Sequence, residues 1–286
     1  MKKIPNALKL LLKLILTAIA LFIVLEKIDV EKTKEIFAGL KFFWLLPAFF
    51  FFNLSKILGA LRLNYFFRTI GLALDEMTNL RLYYIGMFYN LFLPGGIGGD
   101  AYKIIFLKKQ SQSAIKKTTL AVLLDRFSGL LAIVFLLQLF LLATLRETFG
   151  QTLTWLLIAS LFLPYPLYSF LVKQFLPDFF ERLALTNGFA LGVQLSQVIC
   201  SIFLLLALDQ TTQIAEYLTL FLFSSIVAVL PFTVGGLGAR ELGFVFGHQY
   251  LHADVSTAIA FSLLFFILTA TSSLVGAFLR VELNNA

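Results

Sequence analysis

The stretch LFLPGGIGGDAYKIIFLKK, Leu91–Lys109, interrupts a long apolar segment with a proline and four glycines. A second stretch, LPFTVGGLGARELGF, Leu230–Phe244, repeats nearly the same interruption. Three glycines of the first stretch have a counterpart in the second, each 140 residues further on: Gly95, Gly96 and Gly98 with Gly235, Gly236 and Gly238. The fold must explain why so apolar a chain contains two flexible breaks.

The composition is that of a membrane protein. The 286 residues are 59% hydrophobic and 14% charged, whereas a soluble domain has about a quarter charged residues. The net charge of +7 does not indicate a nucleic-acid partner, because the basic residues lie in short segments between apolar runs, as in cytoplasmic loops. No polar stretch is long enough to fold alone, so residues 1–286 are predicted to form a single transmembrane domain.

A spanning helix needs about 20 apolar residues. Prolines at Pro47 and at Pro164–Pro166 fall inside two candidate spans and predict kinks there. The first span follows a run of lysines like a signal peptide but is long enough to cross the membrane, so it is predicted to stay uncleaved. Six spans are predicted: 8–25, 42–61, 119–145, 153–173, 189–208 and 256–279.

Lysine and arginine counts predict the sidedness of the loops. The segment 101–118 has five lysines and no acid and is expected in the cytoplasm with both termini, while the balanced loop 26–41 is expected outside. The amino terminus and segment 101–118 can both be cytoplasmic only if two spans separate them. Residues 79–100 must therefore enter and leave the membrane on the same side. Segment 214–251 then forms a second hairpin of opposite orientation.

The predicted fold is therefore an all-α polytopic membrane protein with about six spanning helices and two oppositely oriented re-entrant helical hairpins. Its inverted-repeat halves are roughly 42–145 and 189–280, as in transporters with a midplane site. Two alternatives stay open: the glycines allow close helix packing only, or both segments span fully. The residues assigned to the hairpin tips are Pro94, Gly95, Gly96, Gly98, Gly99, Pro231, Gly235, Gly236 and Gly238.

Charged residues are placed where a membrane makes them unfavourable. Asp125 and Arg126 lie inside the third span, about 10 Å from its start. Neighbours on a helix point in different directions, so each needs another partner. Arg240 and Glu241 follow the second glycine cluster. We predict crossed pairing around a polar cavity, with Asp125 near Arg240 or Arg126 near Glu241; snorkelling to the interface is the alternative. Asp100 either caps the helix after the first break or belongs to the site.

Several other chemistries find no support in the motifs. His248 and His252 are spaced i, i+4 but have no third ligand nearby, so no metal site is predicted. Neither glycine cluster has a P-loop ending, and no G-x-S-x-G elbow is present. Cys200, the single cysteine, is interpreted as a packing residue. No cofactor and no catalytic residue are predicted.

The motifs LPGGIGGDAYK, LDRFSGLLAI and LPFTVGGLGARE occur in this order. They resemble the transmembrane domain of the lysylphosphatidylglycerol synthase/flippase family over residues 10–280. The resemblance implies movement of a lipid between leaflets, but no aminoacyl transfer, because the sequence ends at residue 286 without the soluble synthase domain. The motif positions that match polar positions of the family are Asp100, Asp125, Arg126, Arg240 and Glu241.

The function expected is a flippase-like, non-enzymatic transporter in the cell membrane. Its cargo would be a lipid with a polar headgroup, such as aminoacylated phosphatidylglycerol or a polyprenyl-linked lipid. A membrane-embedded transferase with a lipid-linked donor, or a non-transporting partner of a separately encoded lipid-modifying enzyme, stays open, as does a homo-oligomer. The candidate substrate-binding residues are Asp100, Lys103, Asp125, Arg126, Arg240 and Glu241.

Overall fold

The computed structural model describes residues 30–72, 74–92, 98–111, 114–145, 150–229 and 239–281, and all regular structure in these ranges is helical. Two 3₁₀ turns, Phe42–Trp44 and Pro177–Arg182, precede long helices. The α-helices are α1 (Val30–Ala38), α2 (Leu45–Thr69), α3 (Glu76–Phe92), α4 (Gly98–Ser111), α5 (Ile115–Thr144), α6 (Gln151–Leu161), α7 (Pro164–Phe175), α8 (Leu183–Ala207), α9 (Ile214–Val229), α10 (Ala239–Leu251) and α11 (Val255–Phe278). The all-α prediction is confirmed.

Within the described ranges, five helical segments are long and apolar enough to cross a membrane: Phe42–Thr69, Ile115–Thr144, Gln151–Phe175, Pro177–Ala207 and Val255–Phe278. They correspond to five of the six predicted spans; the sixth, 8–25, lies outside the described residues. Large apolar side chains such as Trp155, Phe162 and Phe170 are exposed on the surface of the bundle. Such a surface is stable in lipid and not in water, so the chain is an integral membrane protein.

The structure differs from the sequence prediction in α2 and in the segment before it. Helix α2 continues to Thr69, eight residues beyond the predicted end of its span. The loop predicted at 26–41 contains α1, which packs on α11. Pro47 lies in the first turn of α2, where its missing amide has no helical partner to lose. Pro47 therefore gives α2 no reason to kink.

A kink was predicted at Pro164–Pro166, and the structure has a break between two helices there. Helix α6 ends at Leu161, and α7 begins with Pro164 at its first position. Proline is well suited to that position because its amide would be unpaired in any case. One apolar segment of spanning length is thus divided into two shorter helices.

Each glycine-break segment is a pair of short helices that pack against one another. In the first pair, the rings of Tyr89 on α3 and Tyr102 on α4 stack at 4.5 Å. In the second pair, Gly243 of α10 contacts Ser224 of α9, and Gly247, one turn later, contacts Leu220, one turn earlier. The two helices therefore run antiparallel. Helices α3, α4, α9 and α10 have 17, 14, 16 and 13 residues. At 1.5 Å per residue all four are shorter than the ~30 Å hydrocarbon core.

The order of helix lengths occurs twice along the chain. Helices α2–α5 have 25, 17, 14 and 30 residues, and α8–α11 have 25, 16, 13 and 24. The leading helices of the two sets, α2 and α8, share the most extensive helix–helix contact and run antiparallel: Tyr65 stacks on Phe189 and Phe51 on Phe203. Helix α3 packs on α11, and α9 packs on α5. The short helices α3 and α9 thus each pack on the last helix of the other set.

Polar contacts join the loops at one end of the bundle. Lys41 before α2 pairs with Asp209 after α8 at 2.6 Å. Gln213, just before α9, donates to the carbonyl oxygen of His252, just after α10, at 3.4 Å. The second helix pair therefore begins and ends at the same end of the molecule. His252 has φ of +52° beyond the end of α10, so it does not continue the helical face of His248.

Asp254 caps α11 at this same end. Its carboxylate accepts from the amide of Thr257 at 2.9 Å and from Lys32 of α1 at 2.6 Å. Burial acts to raise the pKa of Asp254, but the hydrogen bonds from Lys32 and Thr257 outweigh it, so the pKa lies below its ordinary value. The carboxylate therefore stabilises the fold in its ionised form.

We predict that Asp254→Ala lowers the free energy of unfolding by about 1 kcal/mol, whereas Asp254→Asn, which can still cap the helix, has a smaller effect. Since the folded pKa is depressed, the charge-dependent part of this stabilisation is complete above the unfolded pKa of about 4 and is lost as the pH falls through the folded value. Thermal unfolding from pH 7 to pH 3 measures this. A wild-type midpoint that falls no more than that of Asp254→Asn would contradict the prediction.

Candidate functional site

A buried ion pair joins two of the long helices. Nε of Arg62 on α2 donates to Oδ1 of Asp125 on α5 at 2.7 Å, and the two side chains are only 7% and 12% exposed. The Nη1 group of Arg62 is buried without a hydrogen-bond partner, and it faces Gly129, whose added Cβ would lie 3.2 Å from it. The guanidinium therefore retains an unsatisfied donor beside a position that has no side chain.

A second set of charges lies next to the first. The carboxylate of Asp100 on α4 accepts from Lys103, one turn later, at 3.2 Å, and also from Nε of Arg126 on α5. The ammonium of Lys103 lies over the ring of Tyr83 on α3, 4.7 Å from its centroid. Since Asp125 and Arg126 are adjacent on α5, the two sets form one charge cluster: Arg62, Asp100, Lys103, Asp125 and Arg126.

Glycines allow the helix pair to hold Asp100 in place. A Cβ added to Gly99 would lie 1.9 Å from the carbonyl oxygen of Gly86, so no side chain fits at this crossing of α3 and α4. The amide of Gly99 donates to Oδ1 of Asn90 at 2.8 Å, which satisfies one of the first amides of α4. In these contacts Asn90 caps the start of α4, while Asp100 pairs with Lys103 and Arg126. The contacts described for Asp100 are thus ion pairs, and the described cap of α4 comes from Asn90.

The charge cluster lies deep in the bundle. Asp125 is ten residues from the start of α5, or about 15 Å along it, and Asp100 is eleven residues from the end of α4, or about 16 Å. Both distances are about half of the ~30 Å hydrocarbon core. Asp125 is deeper than the sequence predicted, because α5 begins at Ile115 and not near Thr118.

Four of the six predicted binding residues lie together in this cluster: Asp100, Lys103, Asp125 and Arg126. The expectation that Asp125 and Arg126 each need another partner is confirmed, but Asp125 pairs with Arg62. Arg240 and Glu241 are the second and third residues of α10, and their side chains lie outside the description, so the crossed pairing stays a prediction. Gly98 and Gly99 begin α4; the other residues assigned to the tips lie outside the described ranges.

Sequence reasoning missed Arg62. The predicted span ended at residue 61, which placed this arginine in a loop, whereas the helix continues about two turns beyond it, to Thr69. Arg62 is 5% exposed and holds the carboxylate for which Arg240 was proposed. A search of the sequence for long apolar segments in which one internal charged residue is allowed would have placed Arg62 inside the helix.

We predict that Asp100→Asn is strongly destabilising. It leaves Lys103 and Arg126 close together without the carboxylate between them, and breaking a buried pair costs about 3–5 kcal/mol. Asp209→Asn is the matched control, because it breaks an exposed pair worth about 0–1 kcal/mol. Thermal unfolding in one detergent compares the two; equal midpoints would show that the Asp100 contacts carry no special stability.

The described residues contain no group of three or more His, Cys, Asp or Glu side chains that could hold a metal ion. Cys200 is a free, buried thiol, as its position in an apolar run predicted.

Comparison with known proteins gives one clear relation. The model of the lysylphosphatidylglycerol synthase TM region matches residues 10–276, which is nearly the whole chain. No curated protein and no solved structure matches the chain. The three ordered motifs and the extent of the match agree, and the chain belongs to the lysylphosphatidylglycerol synthase transmembrane-region family.

Proposed function

We propose that the protein is a flippase-like transporter, not an enzyme, that moves a lipid with a polar headgroup between the leaflets of the cell membrane. The observation that carries this proposal is the charge cluster at mid-depth in an apolar bundle. Ionisable residues inside a membrane are unfavourable unless they are paired, and they often mark the path of a polar substrate. Membership of the family supports the same role.

The charge cluster favours an anionic headgroup. Of its described side chains, three are cationic and two are anionic, which leaves one excess positive charge. Arg62 also has a buried N–H group with no partner. A phosphate oxygen matches both features, because guanidinium groups bind phosphate through several N–H donors in one plane. A phospholipid or a polyprenyl phosphate would satisfy this chemistry.

An inverted repeat gives the transporter two alternating openings. The twofold order of helix lengths, the antiparallel α2–α8 pair and the exchanged packing of α3 and α9 support such a repeat. The short helix pairs would then be re-entrant hairpins of opposite orientation, with both termini in the cytoplasm. Rocking of one half against the other would expose the cluster to each leaflet in turn.

The two halves differ at the site. When α2 and α8 are aligned at their first residues, position 62 falls on Cys200. When α5 and α11 are aligned in the same way, position 125 falls on Phe265. Both are buried and neither is charged. The Arg62–Asp125 pair is thus confined to the first half, which is consistent with a single headgroup site in a twofold framework.

The proposal is tested by lipid translocation in vesicles that contain the purified protein. Fluorescent phosphatidylglycerol, its lysyl ester and a labelled polyprenyl phosphate are compared with protein-free vesicles. Protein-dependent movement of at least one of the three is expected, with the rate reduced in Asp125→Asn and Arg240→Gln variants that remain folded. Movement of none of them by folded protein would contradict the proposal and favour a partner of a lipid-modifying enzyme.

A further inference from the structure

Tyr83 of α3 lies between the two sets of charges that form the charge cluster. The ammonium of Lys103 lies over its ring, 4.7 Å from the centroid. Its hydroxyl lies against Gly59 of α2, where an added Cβ would be 2.6 Å from the hydroxyl oxygen. Gly59 precedes Arg62 by three residues and therefore shares its face of α2. One side chain thus contacts Lys103 with its ring and the helix of Arg62 with its hydroxyl.

The hydroxyl of Tyr83 is surrounded by charges but is not hydrogen-bonded. Arg62 and Asp125 of the first set interact electrostatically with it. Asp100 and Arg126 of the second set do so as well. Among the groups that the structure describes, none forms a hydrogen bond with this hydroxyl, and the side chain is only half-buried. The hydroxyl is therefore available to a group that enters the cluster.

Glycines fix the positions of two donors on α3 and α4. The hydroxyl of Tyr83 packs on the backbone at Gly59, and Lys103 packs in the same way on Gly86. A Cβ added to Gly86 would lie 2.6 Å from Cε and 3.4 Å from Nζ of Lys103. Gly86 follows Tyr83 by three residues, so both contacts lie on one face of α3. Donors held in this way are already placed for an anion before it binds.

We propose that the hydroxyl of Tyr83 binds the headgroup directly, by donating a hydrogen bond to a phosphate oxygen that is attracted by the excess positive charge of the cluster. This inference rests on the proposed function and deepens it by naming a residue that contacts the cargo. A hydroxyl adds a donor without adding a charge, which would be unfavourable inside the membrane whenever the site is empty. Gly59 determines where the donor lies, because any side chain at that position would displace the hydroxyl.

Two neighbouring tyrosines give a matched pair of variants. Tyr83→Phe removes the hydroxyl but keeps the ring under Lys103. Tyr84→Phe removes a hydroxyl that donates to Oδ1 of Asn53 at 2.7 Å. The first variant should weaken binding without changing the midpoint of thermal unfolding. The second should lower the midpoint without changing binding.

The experiment measures the binding of fluorescent phosphatidylglycerol and of a labelled polyprenyl phosphate to the purified protein in an uncharged detergent. For the lipid that the wild type binds better, Tyr83→Phe is expected to weaken binding by about tenfold, as loss of one hydrogen bond to a charged group does. Tyr84→Phe should bind this lipid as the wild type does. Fluorescent diacylglycerol, which has no phosphate, should bind equally to all three proteins.

Gly59→Ala tests the position of the hydroxyl by a second route. Its methyl group would displace the oxygen of Tyr83 and should weaken binding in the wild-type background. In the Tyr83→Phe background that oxygen is absent, so the effect of Gly59→Ala on binding should be much smaller. This comparison separates displacement of the hydroxyl from a change in α2, and it keeps the test decisive if Tyr83→Phe alters the fold.

The inference would be overturned if the wild type bound neither phosphate lipid or if Tyr83→Phe bound them as the wild type does. It would also be overturned by an equal loss of diacylglycerol binding in Tyr83→Phe, by equal effects of Gly59→Ala in both backgrounds, or by a loss in Tyr84→Phe as large as that in Tyr83→Phe. The same preparations are assayed for translocation. Binding that depends on Tyr83 without translocation would refute the transport function and leave the hydroxyl as a phosphate contact. Translocation with binding that does not depend on Tyr83 would refute the inference and leave the transport function.

Discussion

Replacing Arg62 with methionine is expected to lower the thermal stability of the protein more than any other single change of a charged residue in α2. The variant leaves the carboxylate of Asp125, 12% exposed, without its guanidinium partner. Loss of one member of a buried ion pair costs about 3–5 kcal/mol, because the remaining charge is desolvated and unpaired. Unfolding midpoints of purified wild type and variant in the same detergent measure the effect.

The double variant Arg62→Met, Asp125→Leu separates the stability of the fold from its function. Removing both charges leaves nothing unpaired, and buried pairs can be replaced by apolar side chains at little or no loss of stability. Its midpoint should recover most of the way to the wild-type value. A double variant that is as unstable as the sum of the two single variants would mean that the two residues do not act as a pair.

The second large effect is expected at two glycines where helices cross. A Cβ added to Gly99 would lie 1.9 Å from the carbonyl oxygen of Gly86, and one added to Gly276 would lie 2.2 Å from that of Tyr84. In both cases the neighbour is backbone, so a whole helix must move. We expect Gly99→Ala and Gly276→Ala each to destabilise the protein by about 1–3 kcal/mol or more.

Gly188→Ala is the control for this prediction. Its new methyl group meets no atom within 4 Å, and alanine is favoured over glycine inside a helix by about 0.5–1 kcal/mol. The control should therefore be slightly more stable than the wild type. If all three alanine variants show the same midpoint, the close crossings of α3 with α4 and of α3 with α11 are not a source of stability.

Hydrophobicity and glycine spacing predicted the architecture well because a bilayer leaves few alternatives. Backbone polar groups in lipid must be satisfied within helices, so long apolar segments become spans. The first glycine break was predicted and lies between Phe92, the end of α3, and Gly98, the start of α4, although Gly98 and Gly99 had been assigned to the tip and belong to α4. The proline pair predicted a kink, and the boundary between α6 and α7 lies at that place.

The partners of the buried charges could not be predicted in the same way. Asp125 pairs with Arg62, 63 residues earlier, and this contact depends on how α2 and α5 pack. A hydropathy window counts an arginine as the end of a span, although a buried partner makes it compatible with the interior. The capping of Gly99 by Asn90 escaped prediction for a related reason, because the two residues meet only when α3 and α4 fold against each other.

The most direct test of the account is the rate at which the double variant Arg62→Met, Asp125→Leu translocates the lipid that the wild type moves fastest. A second double variant, Lys41→Met, Asp209→Asn, removes an exposed pair of the same charges and serves as the control, because asparagine tolerates the φ of +59° at this position. We predict a loss of about tenfold or more, equivalent to about 1.4 kcal/mol in the barrier, in the first variant and an unchanged rate in the second. Wild-type translocation by folded Arg62→Met, Asp125→Leu protein would show that the buried charge pair is structural and that the headgroup passes elsewhere.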